Sequence, residues 1–198
     1  MLKKRVIPTL LYKDNILVKG KNFLSDRPVV NVIESVKTYN IRDVDELIFS
    51  DILATKKKIL PDFSLVRDIS KECFVPLVVG GGINSLKTIE KLLRVGADKV
   101  SINSAAVFDP NFLKLASEEF GSQCIVASID YKHSEGGNVY VHSGSLKTEK
   151  NVIELSKIFE QSGCGEIIFC SIDNDGMQDG YDLMTIKKLK KNIRTPII

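Results

Sequence analysis

The most informative stretch of the sequence is VASIDYK at residues 126–132, because it repeats the pattern of IPTLLYK at residues 7–13, 119 residues earlier. A second pair, EIIF at residues 166–169 and ELIF at residues 46–49, repeats at an offset of 120. Segments with hairpin character follow the first pair, at residues 15–20 and 138–144. Two similar halves of about four strand–helix units each are expected of a duplicated barrel, whereas an open doubly wound sheet would not need the repeat.

Short apolar runs that suit strands alternate with amphipathic runs that suit helices. The strand candidates are residues 6–11, 46–51, 77–79, 99–102, 125–130 and 166–172, with a seventh start at 196–198. The helix candidates are residues 29–38, 63–72, 85–95, 111–120, 151–162 and 183–190, and 16–18 and 139–141 suit hairpin arms. The pattern predicts an α/β protein, a (β/α)8 TIM barrel. Because only six units and a strand start fit in residues 1–198, we expect a single domain lacking the final strands and helices.

The composition is that of an ordinary globular protein, with 43% hydrophobic and 27% charged residues. A net charge of +3, with no aromatic residues interleaved among the basic ones, argues against nucleic acid as a partner. The basic start at residues 1–5 lacks the apolar stretch of a signal peptide, and no run reaches the roughly 18 apolar residues of a membrane span. The four cysteines lack metal-ligand spacing, which suits reduced thiols in a cytoplasmic protein without a metal or cofactor.

Several segments together resemble the HisF family, the cyclase subunit of imidazole glycerol phosphate synthase. The resemblance runs over residues 4–198. Its segments are VKG at 18–20, DELIFSD at 45–51, VGGGI at 79–83, GADKVSIN at 96–103, FGSQ at 120–123, SIDNDG at 171–176 and GYD at 180–182. Each segment alone is weak, but their order and spacing are specific. The resemblance implies a TIM-barrel lyase of histidine biosynthesis that pairs with a HisH-like glutaminase and uses its ammonia on a phosphorylated aminoimidazole ribonucleotide.

Candidate phosphate-binding residues follow two neighbouring predicted strands. Gly81 and Gly82 lie between an apolar strand and a helix, where backbone N–H groups can approach a phosphate, although a plain glycine-rich turn is the alternative. Asn103 and Ser104 end the next strand, at the barrel face that carries active sites. The resemblance implies that these residues hold one substrate phosphate, that Gly176 helps to hold the other, and that Lys19 lies in an active-site loop.

Charged residues stand at the opposite ends of the predicted strands. Arg5, Glu46, Lys99 and Glu166 each open a strand, and two positive and two negative charges could neutralise one another in a ring. Solvated strand starts are the alternative for each residue taken singly. The resemblance implies that these four residues form the gate of an ammonia channel, and that Asp98 lies at the glutaminase interface.

One departure from the family concerns proton transfer. The resemblance implies two carboxylates at the active face, one at the end of strand one and one at the end of strand five, acting as general acid and base. Asp130 is the strand-five carboxylate, whereas both the family match and the internal repeat place Leu11 at the strand-one position. Leucine cannot transfer a proton, and loss of such a group typically slows a reaction by about 10²–10⁴-fold. Met177 also departs from the family, which has a residue with a hydroxyl side chain at this position of the phosphate loop.

Three functions remain open on the sequence. The first is a synthase subunit in which Asp130 is the remaining acid/base. The second is a HisF-like paralogue, as associated with surface-polysaccharide synthesis, that passes ammonia to a third protein for amidination of a sugar. The third is a sugar-phosphate isomerase of the related HisA type, which the missing strand-one carboxylate disfavours because that reaction needs it as well.

Overall fold

The computed structural model describes residues 4–24, 27–29 and 31–198. Residues 1–3 of the basic start and Val30 of the first predicted helix lie outside the described residues. The chain forms two compact units, one of Met1–Lys19 with Arg27–Ser101 and one of Gly20–Asp26 with Ile102–Ile198. Both units contain parallel strands joined through helices, and the prediction of an α/β protein is confirmed.

The first unit consists of parallel strands with an antiparallel hairpin at one side. The strands are β1 (Thr9–Lys13), β2 (Ile16–Lys19), β3 (Arg27–Pro28), β4 (Leu47–Asp51), β5 (Leu77–Gly80) and β6 (Lys99–Ile102), and the helices are α1 (Val32–Ile41), α2 (Ala54–Lys57), α3 (Phe63–Glu72) and α4 (Leu86–Arg94). The sheet order is β3-β2-β1-β4-β5-β6. Strands β1, β4, β5 and β6 are parallel, whereas the β1–β2 and β2–β3 pairs are antiparallel.

The register of the first unit sets which side chains share a face. In the register of the sheet, Leu11 pairs with Ser50, Ser50 pairs with Gly80, and Gly80 pairs with Ser101. Because register partners in a parallel sheet point to the same side, these four residues form one row near the carboxyl ends of the strands. All four residues of β5 are buried, as expected of a parallel strand covered on both faces.

The second unit contains a parallel strand pair extended by an antiparallel hairpin. Its elements are α5 (Ser104–Phe108), α6 (Pro110–Phe120), β7 (Ile125–Lys132), β8 (Asn138–Val141), β9 (Leu146–Asn151), α7 (Val152–Gln161), β10 (Glu166–Ser171) and α8 (Leu183–Asn192). Strand β7 pairs in parallel with β10 and antiparallel with β8, and β8 pairs antiparallel with β9. A parallel bridge joins Ile197 to Ile167, at the position of the predicted seventh strand start.

The helix boundaries are set largely by side-chain caps. The Asp62 carboxylate accepts hydrogen bonds from the N–H groups of Ser64 and Leu65, both at 3.0 Å, and so starts α3. Helix α1 begins at Val32 rather than at the predicted residue 29, because Asn31 caps it by accepting from the Ile33 N–H. Strand β1 likewise begins at Thr9 rather than at residue 6, since Pro8 has no N–H to donate to a neighbouring strand.

Candidate functional site

Asp130 lies near the carboxyl end of β7, in register with Cys170 of β10. The Asn103 amide donates to its carboxylate and also, at 3.1 Å, to the Ser128 carbonyl. Although the residue is partly exposed, the pKa of Asp130 is raised from 3.8 to about 7. Burial of the carboxyl group is the largest cause, the nearby charge of Asp175 contributes in the same direction, and the Asn103 hydrogen bond opposes both. Near neutral pH this side chain can therefore both donate and accept a proton.

Asp175 is held in a turn that folds back over the end of β10. Its N–H donates to the Ser171 carbonyl at 3.0 Å, its carbonyl accepts from the Asn22 N–H at 2.9 Å, and its carboxylate accepts from the Phe23 N–H. Burial raises the pKa of Asp175, and the Phe23 hydrogen bond opposes that shift. Asp175 is thus a second, partly buried carboxyl group in this part of the chain, and the sequence analysis assigned it no role.

The segment Gly20–Leu24, called here the strap, lies on this turn. The Asn22 side-chain amide donates to the carbonyls of Ile172 at 3.0 Å and Asp173 at 2.7 Å. At Gly176 the backbone φ is +69°, and an added Cβ would lie 2.1 Å from the Gly20 carbonyl oxygen. Gly176 is therefore required by the close approach of two backbones, whatever it does with a phosphate.

Asn103 and Ser104 meet the tip of the hairpin formed by β8 and β9. The Ser104 hydroxyl donates to the Asn103 side-chain oxygen at 3.2 Å and accepts from the His142 N–H at 3.1 Å. An added Cβ at Gly144, where φ is +73°, would lie 2.8 Å from the Phe23 ring. The sequence predicted only a hairpin here; the turn residues were the available signal, but nothing local indicated what the tip contacts.

The glycine turn of the first unit is tightly packed. Gly81 has φ +101°, and an added Cβ would lie 2.3 Å from the Asp51 carbonyl oxygen. Gly82 has φ +68°, and an added Cβ would lie 2.6 Å from the Ile59 carbonyl oxygen. Its N–H points at the Thr55 hydroxyl over a long 3.4 Å. Packing alone accounts for both glycines, so their role in phosphate binding stays a prediction.

Three of the four charged residues predicted to form a ring lie together. The Glu46 carboxylate is almost fully buried, and each of its oxygens lies 2.8 Å from a cation, one from Arg5 and one from Lys99. Arg5 precedes β1 by four residues, so its predicted place as the opening residue of that strand is wrong. Glu166 is the first residue of β10 in the second unit. The first unit thus holds a buried carboxylate between two cations.

Three further predicted residues stand apart from these clusters. Lys19 is the exposed last residue of β2 and precedes the strap directly. Asp98 is exposed, and its carboxylate accepts from the Leu77 N–H at 2.8 Å, which links the starts of β5 and β6. Leu11 is partly exposed in the row with Ser50, and no carboxylate stands at that position of β1.

Within the described ranges, no group of three or more His, Cys, Asp or Glu side chains could hold a metal ion. The four cysteines form no disulfide in this structure. No helix in the described part of the chain combines the length and the apolar character that a membrane span needs.

The model of the family described as histidine biosynthesis protein matches residues 5–198. The chain is 43% identical over 198 residues to hisF2 of Campylobacter jejuni, provisionally named as an imidazole glycerol phosphate synthase subunit, covering 100% of the chain and 79% of that protein. It is 43% identical to the HisF subunit of Bacillus cereus G9842 and 41% identical to that of Methanocaldococcus jannaschii, again over 100% of the chain and 79% and 80% of those proteins. The chain belongs to the HisF family.

Proposed function

We propose that this chain is the cyclase subunit of an imidazole glycerol phosphate synthase and has the (β/α)8 barrel fold of its family. The observation that carries the proposal is Asp130, a carboxyl group near the carboxyl end of a parallel strand with a pKa raised to about 7. A general acid/base is most effective when its pKa lies near the working pH. The names of the HisF relatives support this choice of reaction.

In the proposed reaction, ammonia attacks the carbonyl carbon of the ribulose part of an aminoimidazole ribonucleotide. Asp130 then moves protons between the attacking nitrogen and the carbonyl oxygen. Asn103 is hydrogen-bonded to Asp130 and orients its carboxylate, and Ser104 adds a hydroxyl beside the Asn103 amide. Gly81, Gly82 and Gly176, together with Asn103 and Ser104, are proposed to bind the substrate phosphates, with Lys19 in the active-site loop.

The ammonia is proposed to come from a HisH-like glutaminase. The cluster of Arg5, Glu46 and Lys99 supports a gate for ammonia. The Glu46 carboxylate is paired with two cations, so these side chains can move apart only when both ion pairs rearrange. Glu166 is proposed as the fourth gate residue, and Asp98 as a contact for the glutaminase. Such a gate would tie the passage of ammonia to the arrival of substrate.

A second candidate function is favoured by Leu11. Without the strand-one carboxylate, the chain would pass ammonia from the glutaminase to a third protein that amidinates a sugar, and would form little imidazole itself. The two candidates share the gate and the glutaminase and differ only in the acceptor of the ammonia.

Glutamine-driven imidazole formation distinguishes the two candidates. With a HisH-like glutaminase and the aminoimidazole ribonucleotide, a cyclase consumes glutamine and forms imidazole product in proportion. The Leu11→Asp variant, which restores the second acid/base of the family, should increase this product. Glutamine consumption with ammonia release and no imidazole, in both the wild type and Leu11→Asp, would reject the cyclase and favour the second candidate.

A further inference from the structure

The side-chain amide of Asn103 is held by three neighbouring groups. Its NH₂ group donates to the Ser128 carbonyl at 3.1 Å and to the Asp130 carboxylate. Ser128 and Asp130 are two residues apart in β7, so one NH₂ group can reach both. The amide oxygen accepts from the Ser104 hydroxyl at 3.2 Å. A carbonyl and an ionised carboxylate can only accept, whereas a hydroxyl can donate, so all three partners agree with one orientation of the amide.

The Ser104 hydroxyl is itself held by the tip of the β8–β9 hairpin. Its oxygen accepts from the His142 N–H at 3.1 Å. Because an N–H group can only donate, this contact leaves the single hydroxyl proton of Ser104 for the Asn103 oxygen. The His142 ring also packs against Phe108, with the ring centroids 5.8 Å apart, and this contact fixes the tip against α5. The hairpin tip therefore determines where the Ser104 proton points.

We propose that Ser104 is a positioning residue for Asp130, because its hydroxyl, held by the hairpin tip, locks the Asn103 amide in the orientation that donates to the Asp130 carboxylate. This inference rests on the proposed cyclase function, in which Asp130 transfers the protons. It gives Ser104 a role beyond the contact with a phosphate that is proposed above. Without the hydroxyl, the Asn103 oxygen has no donor, and the amide can turn away from the carboxylate about its remaining bond to the Ser128 carbonyl.

The groups around Asp130 decide the direction in which this loss acts. Its register partners are Cys170 in β10 and Tyr140 in β8, and the charge of Asp175 also acts on it. Burial and the Asp175 charge raise the pKa of Asp130, and the Asn103 hydrogen bond opposes them. A weaker hydrogen bond stabilises the ionised carboxylate less, so loss of the Ser104 hydroxyl should raise the pKa of Asp130 further.

Titration of Asp130 in the full chain without substrate, followed by carboxyl-carbon NMR, tests this role free of any contribution from phosphate binding. Asn103→Ala should raise the Asp130 midpoint by about one pH unit, the order of shift that one hydrogen bond to a carboxylate produces. Ser104→Ala should raise it by about half a pH unit, because the amide stays in place but is held less firmly. In the Asn103→Ala background, Ser104→Ala should cause no further rise, since Ser104 acts through Asn103.

Two variants serve as controls for the titration. Ser104→Thr keeps the hydroxyl and should keep the wild-type midpoint of Asp130. Ser162→Ala removes a hydroxyl that donates to the Ile158 carbonyl at 2.9 Å at the end of α7, and should also leave the midpoint unchanged. An Asp130 midpoint that is the same in Ser104→Ala as in the wild type would overturn the positioning role. A rise of equal size in the Asn103→Ala background would overturn it as well, because Ser104 would then act without Asn103.

Steady-state kinetics with ammonium chloride and the aminoimidazole ribonucleotide separate positioning from substrate binding. Ser104→Ala should lower kcat by roughly 10- to 100-fold through misplacement of the Asp130 carboxylate, and Ser104→Thr should restore it. A raised KM with an unchanged kcat would leave Ser104 with a binding role alone and would contradict the inference. Absence of imidazole from both the wild type and Leu11→Asp would instead reject the proposed cyclase function, and the Asp130 midpoints would still decide whether Ser104 holds Asn103.

Discussion

The raised pKa of Asp130 predicts a dependence of stability on pH. Its carboxyl group has a folded-state pKa of about 7 against an ordinary value of 3.8. Between these two pH values the folded state retains a proton that the unfolded state has lost, so stability falls as pH rises through that window. The full difference corresponds to about 4 kcal/mol. Roughly 2–3 kcal/mol of this loss falls between pH 5 and pH 8, because the remainder occurs below pH 5.

The Asp130→Asn variant should abolish this dependence, because an amide does not titrate and its oxygen can still accept from Asn103. Urea unfolding followed by circular dichroism at pH 5 and pH 8 gives the free energy of unfolding of both proteins. The free energy of unfolding of Asp130→Asn minus that of the wild type should increase by roughly 2–3 kcal/mol from pH 5 to pH 8. Asp179→Asn, which removes an exposed carboxylate, should show the same pH dependence as the wild type. A difference in free energy of unfolding that is the same at both pH values would refute the assignment of a carboxyl group with a pKa near 7 at Asp130.

Three further substitutions test other parts of the structure by urea unfolding at pH 7. Glu46→Gln removes the charge between two cations and should lower the free energy of unfolding by about 2–4 kcal/mol, a loss that Lys99→Met in the same chain should partly reverse; a cost below 1 kcal/mol would argue against a buried ion cluster. Gly81→Ala should lower the free energy of unfolding by about 2–4 kcal/mol, because its Cβ would collide with the Asp51 carbonyl. An unchanged free energy of unfolding would show that the backbones of residues 81 and 51 are further apart. Asp62→Ala should cost about 1 kcal/mol through loss of the α3 cap, and no loss would mean that the cap contributes nothing.

Elements with local determinants could be predicted from the sequence. Helix α3 has the predicted bounds, because Asp62 supplies its cap and its apolar positions have helical spacing. Strand β6 also has the predicted bounds. The short α2 and α5 were missed because helices of four and five residues show no periodicity. Strand β9 was missed because its sequence, LKTEKN, is polar, and it is held by pairing with β8.

The site was only partly predictable, for a physical reason. Asp130 could be found because the internal repeat and the family segments mark its strand end. The position of Asp175 depends on Asn22, about 150 residues earlier, whose N–H donates to the Asp175 carbonyl, and no local pattern encodes a hydrogen bond over that separation. Arg5 was assigned to a strand start, yet Pro8 delays the strand and Arg5 reaches Glu46 from the preceding segment. Contacts distant in sequence therefore account for most of what was missed.

Ammonium-driven formation of the imidazole product, compared between the wild type and Asp130→Asn, shows whether the Asp130 carboxyl group transfers protons in the cyclase reaction. With saturating ammonium chloride and the aminoimidazole ribonucleotide, no glutaminase is needed and only the cyclase step is measured. We predict measurable product from the wild type near pH 7 and a rate about 10²–10⁴-fold lower for Asp130→Asn. A wild type that forms no product, or an Asp130→Asn variant that is as fast as the wild type, would contradict it.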